Sequence, residues 1–139
     1  MPGTRFDALA VGDAILDIVT PPLPPGLGDR QSHVKRFARV PGGNATNFAL
    51  AFRALGGRTG LVACVGRDWA GDILRKAFRS AGIDTRVRIS PTKPSGMTVA
   101  LTFTDGTRHL VTSLGANADL RPSDVPVPWV RAARHVHRA

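Results

Sequence analysis

The stretch Pro41-Gly42-Gly43-Asn44-Ala45-Thr46-Asn47-Phe48-Ala49-Leu50-Ala51-Phe52-Arg53-Ala54-Leu55-Gly56 decides the fold. Ala45, Phe48, Ala49, Phe52 and Leu55 recur at helical spacing, and Gly56 is a natural stop. Gly42-Gly43 stands where a basic extended segment hands over to that helix. Paired glycines let the backbone approach a ligand closely and aim amides at it. The helix start adds unpaired N–H groups and partial positive charge. Asn44 and Asn47, three apart, share one face of the first turn, and Asn44 also suits the N-cap. A carboxamide both donates and accepts, so two of them fit a polyhydroxylated ligand better than a purely ionic one.

Upstream, Phe6–Gly12 reads as a buried strand, and the apolar stretch Ala14–Val19 follows with Asp17 in it. Asp17, expected at the end of this first strand region, adds an anionic acceptor for sugar hydroxyls. Together these groups predict a polyol pocket at the carboxyl ends of parallel strands. Pro21-Pro22-Leu23-Pro24-Pro25 breaks any regular element, and His33–Val40 reads as an exposed basic strand.

Downstream, Thr59–Val65 is an apolar strand, and Asp68 caps a helix that runs through Ala81 with Ile73, Leu74, Ala77 and Phe78 inward. Val87–Ile89 is a short strand. Met97–Phe103 and Thr107–Thr112 flank the hairpin turn Asp105-Gly106. A prolyl segment leads to a turn or two of helix at Trp129–Arg134, and His135–His137 begins another strand. The alternation predicts an α/β chain with a parallel core, flanking helices and an antiparallel appendage, its sheet incomplete at the last strand.

At 139 residues the chain suits one domain. Apolar residues at 42% and charged residues at 21% exclude disorder and collagen-like structure. No apolar run approaches the ~20 residues of a membrane span, and Asp13 and Asp17 interrupt the N-terminal apolar run, so it is no secretory leader. Cys64 alone excludes an internal disulfide and fits a reducing cytoplasm. The net charge of +9 admits a second reading, a non-catalytic module that binds nucleic acid or another polyanion. Against it, the basic residues are spread along the chain, and no basic stripe with interleaved aromatics occurs.

The run Gly42-Gly43-Asn44-Ala45-Thr46-Asn47-Phe48-Ala49, with Gly56 and Gly66 at fixed spacing behind it, resembles the N-terminal signature of the ribokinase-like (PfkB) carbohydrate kinase family. Gly12-Asp13-Ala14-Ile15-Leu16-Asp17, Val65-Gly66-Arg67-Asp68-Trp69-Ala70-Gly71, Ser95-Gly96, Asp105-Gly106-Thr107-Arg108 and Gly115-Ala116-Asn117 also have family counterparts. The resemblance implies a kinase, using ATP and Mg2+, that phosphorylates a hydroxyl of a sugar or nucleoside. It implies a ribokinase-like fold in which a small β lid, with strands at about 33–40 and 97–112, covers the acceptor. Asp17, Gly42, Gly43, Asn44, Asn47 and Arg108 are then its acceptor-binding residues, and pairing of lids implies a homodimer. Family members are longer, and their second half carries a G-A-G-D-type anion hole and catalytic base. Here Gly115-Ala116-Asn117-Ala118-Asp119 is similar only in letters, and no G-x-x-x-x-G-K-[ST] loop occurs. The expectation is an N-terminal, acceptor-binding half, incomplete for catalysis alone, whose ATP-binding half is absent.

Overall fold

The computed structural model describes residues 5–139. In chain order the elements are β1 (Ala8–Val11), β2 (Ile15–Val19), β3 (Ala38–Gly42), α1 (Asn44–Ala54), β4 (Thr59–Val65), α2 (Trp69–Ser80), β5 (Asp84–Ile89), β6 (Gly96–Thr102), β7 (Arg108–Ser113), α3 (Val127–Arg131) and β8 (Val136–Arg138). Two 3-10 turns, Gly115–Asp119 and Pro122–Asp124, lie between β7 and α3.

Four strands form a parallel sheet in the order β5-β4-β1-β8. All seven residues of β4 are buried. That is why its sequence is a continuous apolar run instead of an alternating one. On one face, Leu61, Ala63 and Val65 join Ala10 from β1, Ala45 and Ala49 from α1, and Ala70, Leu74 and Phe78 from α2 in a single core cluster. The alanines of α1 let that helix lie close to the sheet. Phe48 and Phe52, half-buried, stack on each other at 5.6 Å, and His137 stacks on Phe48 at 4.1 Å. Leu55 does not turn inward as its spacing predicts: α1 ends at Ala54, so the helical period no longer applies, and Leu55 is 87% exposed.

The second sheet has the order β3-β2-β6-β7 and is mixed, where an antiparallel appendage was expected. The reason lies in the connections. β1 passes directly into β2, and β5 passes through Ser90–Ser95 into β6, so both crossing strands run the same way and pair in parallel. β3 and β7 are the returning strands and pair antiparallel. Asp17 therefore sits in the middle of β2 in this sheet, not at the end of a strand of the parallel core.

The strand expected over 33–40 begins only at Ala38 and continues to Gly42. Its register explains the shift. β3 pairs with β2 from Val19↔Ala38 to Ile15↔Gly42, and beyond Thr20 the prolines offer no ladder donor to residues 33–37. β5 is longer than the expected Val87–Ile89, because its pairing with β4 starts at Asp84.

Two polar clasps hold the crossovers. Asp68 caps α2, with Oδ1 accepting from the Gly71 amide (2.9 Å) and the Ser95 hydroxyl (2.7 Å), and Oδ2 from the Ser95 amide (2.7 Å). The Asn117 carboxamide accepts from the Ala14 amide (2.8 Å) and donates to the Ala14 and Leu114 carbonyls. Asp119, which ends the stretch that resembles G-A-G-D in letters, accepts from the Ser90 hydroxyl at 2.6 Å and pairs with Lys93 at 2.7 Å. Its carboxyl is held below the ordinary range by Lys93 and Ser90. It anchors the β5–β6 connection.

Candidate functional site

The start of α1 is built from residues far apart in sequence. Gly43 is its N-cap, at φ 94° and ψ 147°. A Cβ there would lie 2.8 Å from the Asp13 carbonyl oxygen, so both conformation and space require glycine. The cap acceptor comes from the β1–β2 crossover: Asp13 Oδ1 accepts from the Ala45 amide at 3.0 Å. The Asp13 carbonyl accepts from the Thr46 amide and hydroxyl. Asn44, which suits a cap in sequence, is instead the first helical residue, exposed and free of that duty.

Gly42 works through Asp17. A Cβ at Gly42 would come within 2.2 Å of Asp17 Oδ2, so any side chain there displaces the carboxylate. Asp17 faces Val40 on one side and Thr98 on the other. Because side chains alternate along strands, Ile15, Asp17 and Val19 share a face with Thr98, Ala100 and Thr102 of β6 and with Arg108 and Leu110 of β7. These residues, with Asp13, Gly43 and Asn44, line one cavity of about 330 Å³.

The electrostatics of this cavity are uneven. Burial pushes the Asp17 carboxyl above its ordinary value; a hydrogen bond from Thr98 opposes the shift, and the charge of Asp13 adds to it. The Thr98 hydroxyl also lies 3.0 Å from that of Thr112. Across from the two carboxylates, Arg108 brings a guanidinium at the start of β7. The set can accept several hydrogen bonds at once, while Ile15, Val19, Ala100 and Leu110 add apolar surface to the same cavity.

Of the six residues singled out in the sequence, Asp17, Gly43, Asn44 and Arg108 line this cavity, and Gly42 lies beneath the Asp17 carboxylate. Asn47 is not among the lining residues. It is exposed on α1, its amide donating to the Gly43 carbonyl at 2.8 Å. Asp13 and Thr98 escaped the sequence reading. Thr98 was legible in the period-two pattern of Met97–Phe103, which puts Thr98, Ala100 and Thr102 on one side. Asp13 carried no local signal, since the amide that it caps is 32 residues away. Asp13 also borders a second concavity of about 500 Å³ at the carboxyl ends of β1 and β8, walled largely by Leu114, Leu120, Pro122 and Val125.

Comparison with known proteins agrees with this architecture. The chain is 32% identical to a nucleoside kinase of Methanothermobacter thermautotrophicus over 96% of its own length and 43% of that protein's. It is 29% identical to an aminoimidazole riboside kinase of Salmonella typhimurium, covering 84% of the chain and 34% of the relative. Among solved structures, a probable sugar kinase from Rhizobium etli superposes with a TM-score of 0.85 at 28% identity, over 97% of this chain and 47% of the other. The chain thus spans less than half the length of these relatives. The family profile described as pfkB family carbohydrate kinase matches residues 6–139, and the chain belongs to that family.

Proposed function

We propose that this chain is the acceptor-binding portion of a kinase that transfers a phosphoryl group to a hydroxyl of a sugar or nucleoside. The observation that carries the reading is the single cavity joining Asp17, Asn44 and Arg108 at the glycine-capped start of α1. Kinases named for nucleosides and a riboside among its relatives favour the same ligand class. In this reading Asp17 accepts hydrogen bonds from ligand hydroxyls, and the Asn44 carboxamide donates and accepts beside it. Gly43 admits the ligand close to the helix start, Gly42 leaves the carboxylate its room, and Arg108 closes the opposite wall. Asn47 lies outside the cavity and is assigned to the helix surface.

Family membership points to ATP and Mg2+ as the donor pair. Among the described residues no group of three or more His, Cys, Asp or Glu side chains lies close enough to hold a metal ion. The concavity beside Asp13 is mostly apolar. No transfer step is assigned to these residues. Binding nucleic acid as a main function is the poorer reading, because among the described residues Phe48 stacks on Phe52, Trp129 packs on Phe6 and Arg39 covers Trp69, so these rings offer no stacking row. No helix among the described residues is long and apolar enough to cross a membrane.

Titration calorimetry of the chain with ribose, fructose and adenosine tests the reading. One of the three should bind saturably, and Asp17→Asn should weaken it on the order of tenfold or more, since a charged acceptor is lost. The folded carboxyl is raised above its unfolded value. Its contribution to stability is therefore full below the unfolded value and is lost as pH rises through the folded one. Asp17→Asn should thus be more stable than wild type at neutral pH while binding worse. Saturable binding that survives Asp17→Asn unchanged, or no binding of any of the three, sinks the assignment.

A further inference from the structure

A trough of about 580 Å³ runs along the open edge of β5, the outermost strand at the edge opposite β8. Its floor is Thr85–Arg88. One wall is α2, which presents Arg75 and Arg79; the other is the 3-10 turn at Ser123 and Asp124. Four arginines thus line one concave surface that straddles the strand edge, Arg75 and Arg79 from the α2 side and Arg86 and Arg88 from the opposite face of β5, against a single lining carboxylate. Two are already engaged: Arg75 with Asp72, and Arg88 with Asp124 at 3.2 Å and with the Asp119 carbonyl at 2.9 Å. The side chains of Arg79 and Arg86 have no hydrogen-bond or ion-pair partner among the described residues. The Arg75 Nε is shut off from solvent without an acceptor, which is an unsatisfied donor beside the trough.

Charged side chains commonly protect the edge of a sheet from pairing with another chain, and that accounts for Arg86 and Arg88. It does not account for Arg75 and Arg79. These stand on a helix, one turn apart and so on one face, directed at the same trough. Arg79 and Arg86, which line the trough with no carboxylate to match them, fit phosphate, whose oxygens accept paired N–H groups. The concavity has the size of a small-molecule site, whereas a nucleic-acid groove is an extended basic track.

We propose that this trough binds a phosphorylated small molecule, with Arg79 and Arg86 as its principal contacts and Arg75 and Arg88 framing it. The site is separate from the Asp17 cavity and shares no residue with it.

Inorganic pyrophosphate is the probe, titrated into the full chain by calorimetry at low and at physiological salt. Wild type should bind it with one-to-one stoichiometry at both. Arg79→Gln/Arg86→Gln should weaken it on the order of tenfold or more, whereas Asp17→Asn leaves it within about twofold of wild type. Both arginines are exposed, so circular dichroism should show the double variant folded. As a check needing no variant, pyrophosphate should protect Arg79 and Arg86 from phenylglyoxal, read by peptide mass spectrometry. Absence of saturable binding, an unchanged double variant, or protection confined to other arginines overturns the proposal. So does displacement by single-stranded oligonucleotides with affinity that climbs with their length, which would make the trough part of a polyanion track. Loss of sugar binding by Asp17→Asn with pyrophosphate binding intact would leave both assignments standing, because the two sites fail separately.

Discussion

The two sheets of this molecule have the same number of strands and opposite relations to solvent. Every residue of β4 is buried, whereas every residue of β7 is exposed. At the centre of the parallel sheet, β4 is buried on both faces. The second sheet joins the core cluster on one face through Leu16, with Ile18 and Met97 packed against it, and is tied to the first sheet by the Asp68 and Asn117 clasps, while its other face is left open at the Asp17 cavity. A candidate binding surface needs that openness, and the cost falls on the outer strand that carries it: β7 buries none of its residues. Destabilising substitutions should therefore separate cleanly by sheet.

The largest effect is expected at the centre of the parallel sheet. Leu61 is fully buried between β1 and β5 and belongs to the core cluster. Leu61→Ala should cost about 3 kcal/mol from lost transfer energy and the cavity that remains, a fall of roughly 10 °C in Tm for a chain of this size. Differential scanning calorimetry gives the number. A cost below about 1 kcal/mol would mean that the sheet centre can collapse around the void, and the contrast with β7 would lose its basis.

An intermediate effect is expected where the sheets are joined. Asp68→Ala removes the cap of α2 and strands the Ser95 hydroxyl and amide, for a loss of about 2 kcal/mol. Burial alone would raise the Asp68 carboxyl. The Ser95 hydroxyl and the amides of Gly71, Ser95 and Ala70 outweigh it, so the carboxyl lies below its ordinary value. The stabilisation from a depressed carboxyl is present above the unfolded value and disappears as pH falls through the folded one. The gap between wild type and Asp68→Ala should consequently be widest near neutral pH and narrow in acid, as chemical denaturation across pH would record. A gap independent of pH would show that the clasp acts through shape and not through its charge.

The same division explains what could be read from sequence. The parallel sheet was legible because burial writes itself into β4 as an unbroken apolar run, and α2 carries its own cap at Asp68. Of the residues that line the candidate cavity, Asp17, Gly43 and Asn44 were legible because glycines and polar residues interrupt apolar patterns there, and Arg108 only through the family resemblance. The failures are failures of locality. Asp13 caps a helix 32 residues downstream, so the fragment around Gly43 contains no hint of it. The parallel pairing of β2 with β6 follows from two crossovers made in the same direction, a property of the assembled chain that neither strand shows alone. The strand at 33–40 failed for a related reason: its alternation was genuine, but the prolines after β2 left residues 33–37 without a partner. Asn47 has helical spacing from Asn44, yet the cavity stops at the first residue of α1.

The smallest expected effect tests the open side of the comparison. Val99 and Val111 are paired across β6 and β7, away from the cavity, and are 40% and 57% exposed. Val111→Thr keeps the branched shape and changes only polarity. In an isolated chain it should alter stability by less than about 0.5 kcal/mol, by urea unfolding that is independent of protein concentration. If the face is covered by a second copy, the added hydroxyl is buried and the loss should exceed about 1 kcal/mol, with a midpoint that rises with protein concentration. The first result keeps β7 as the solvent-facing opposite of β4. The second would make the exposed strand half of an interface, and the low burial of β7 would then be completed by its own symmetry mate.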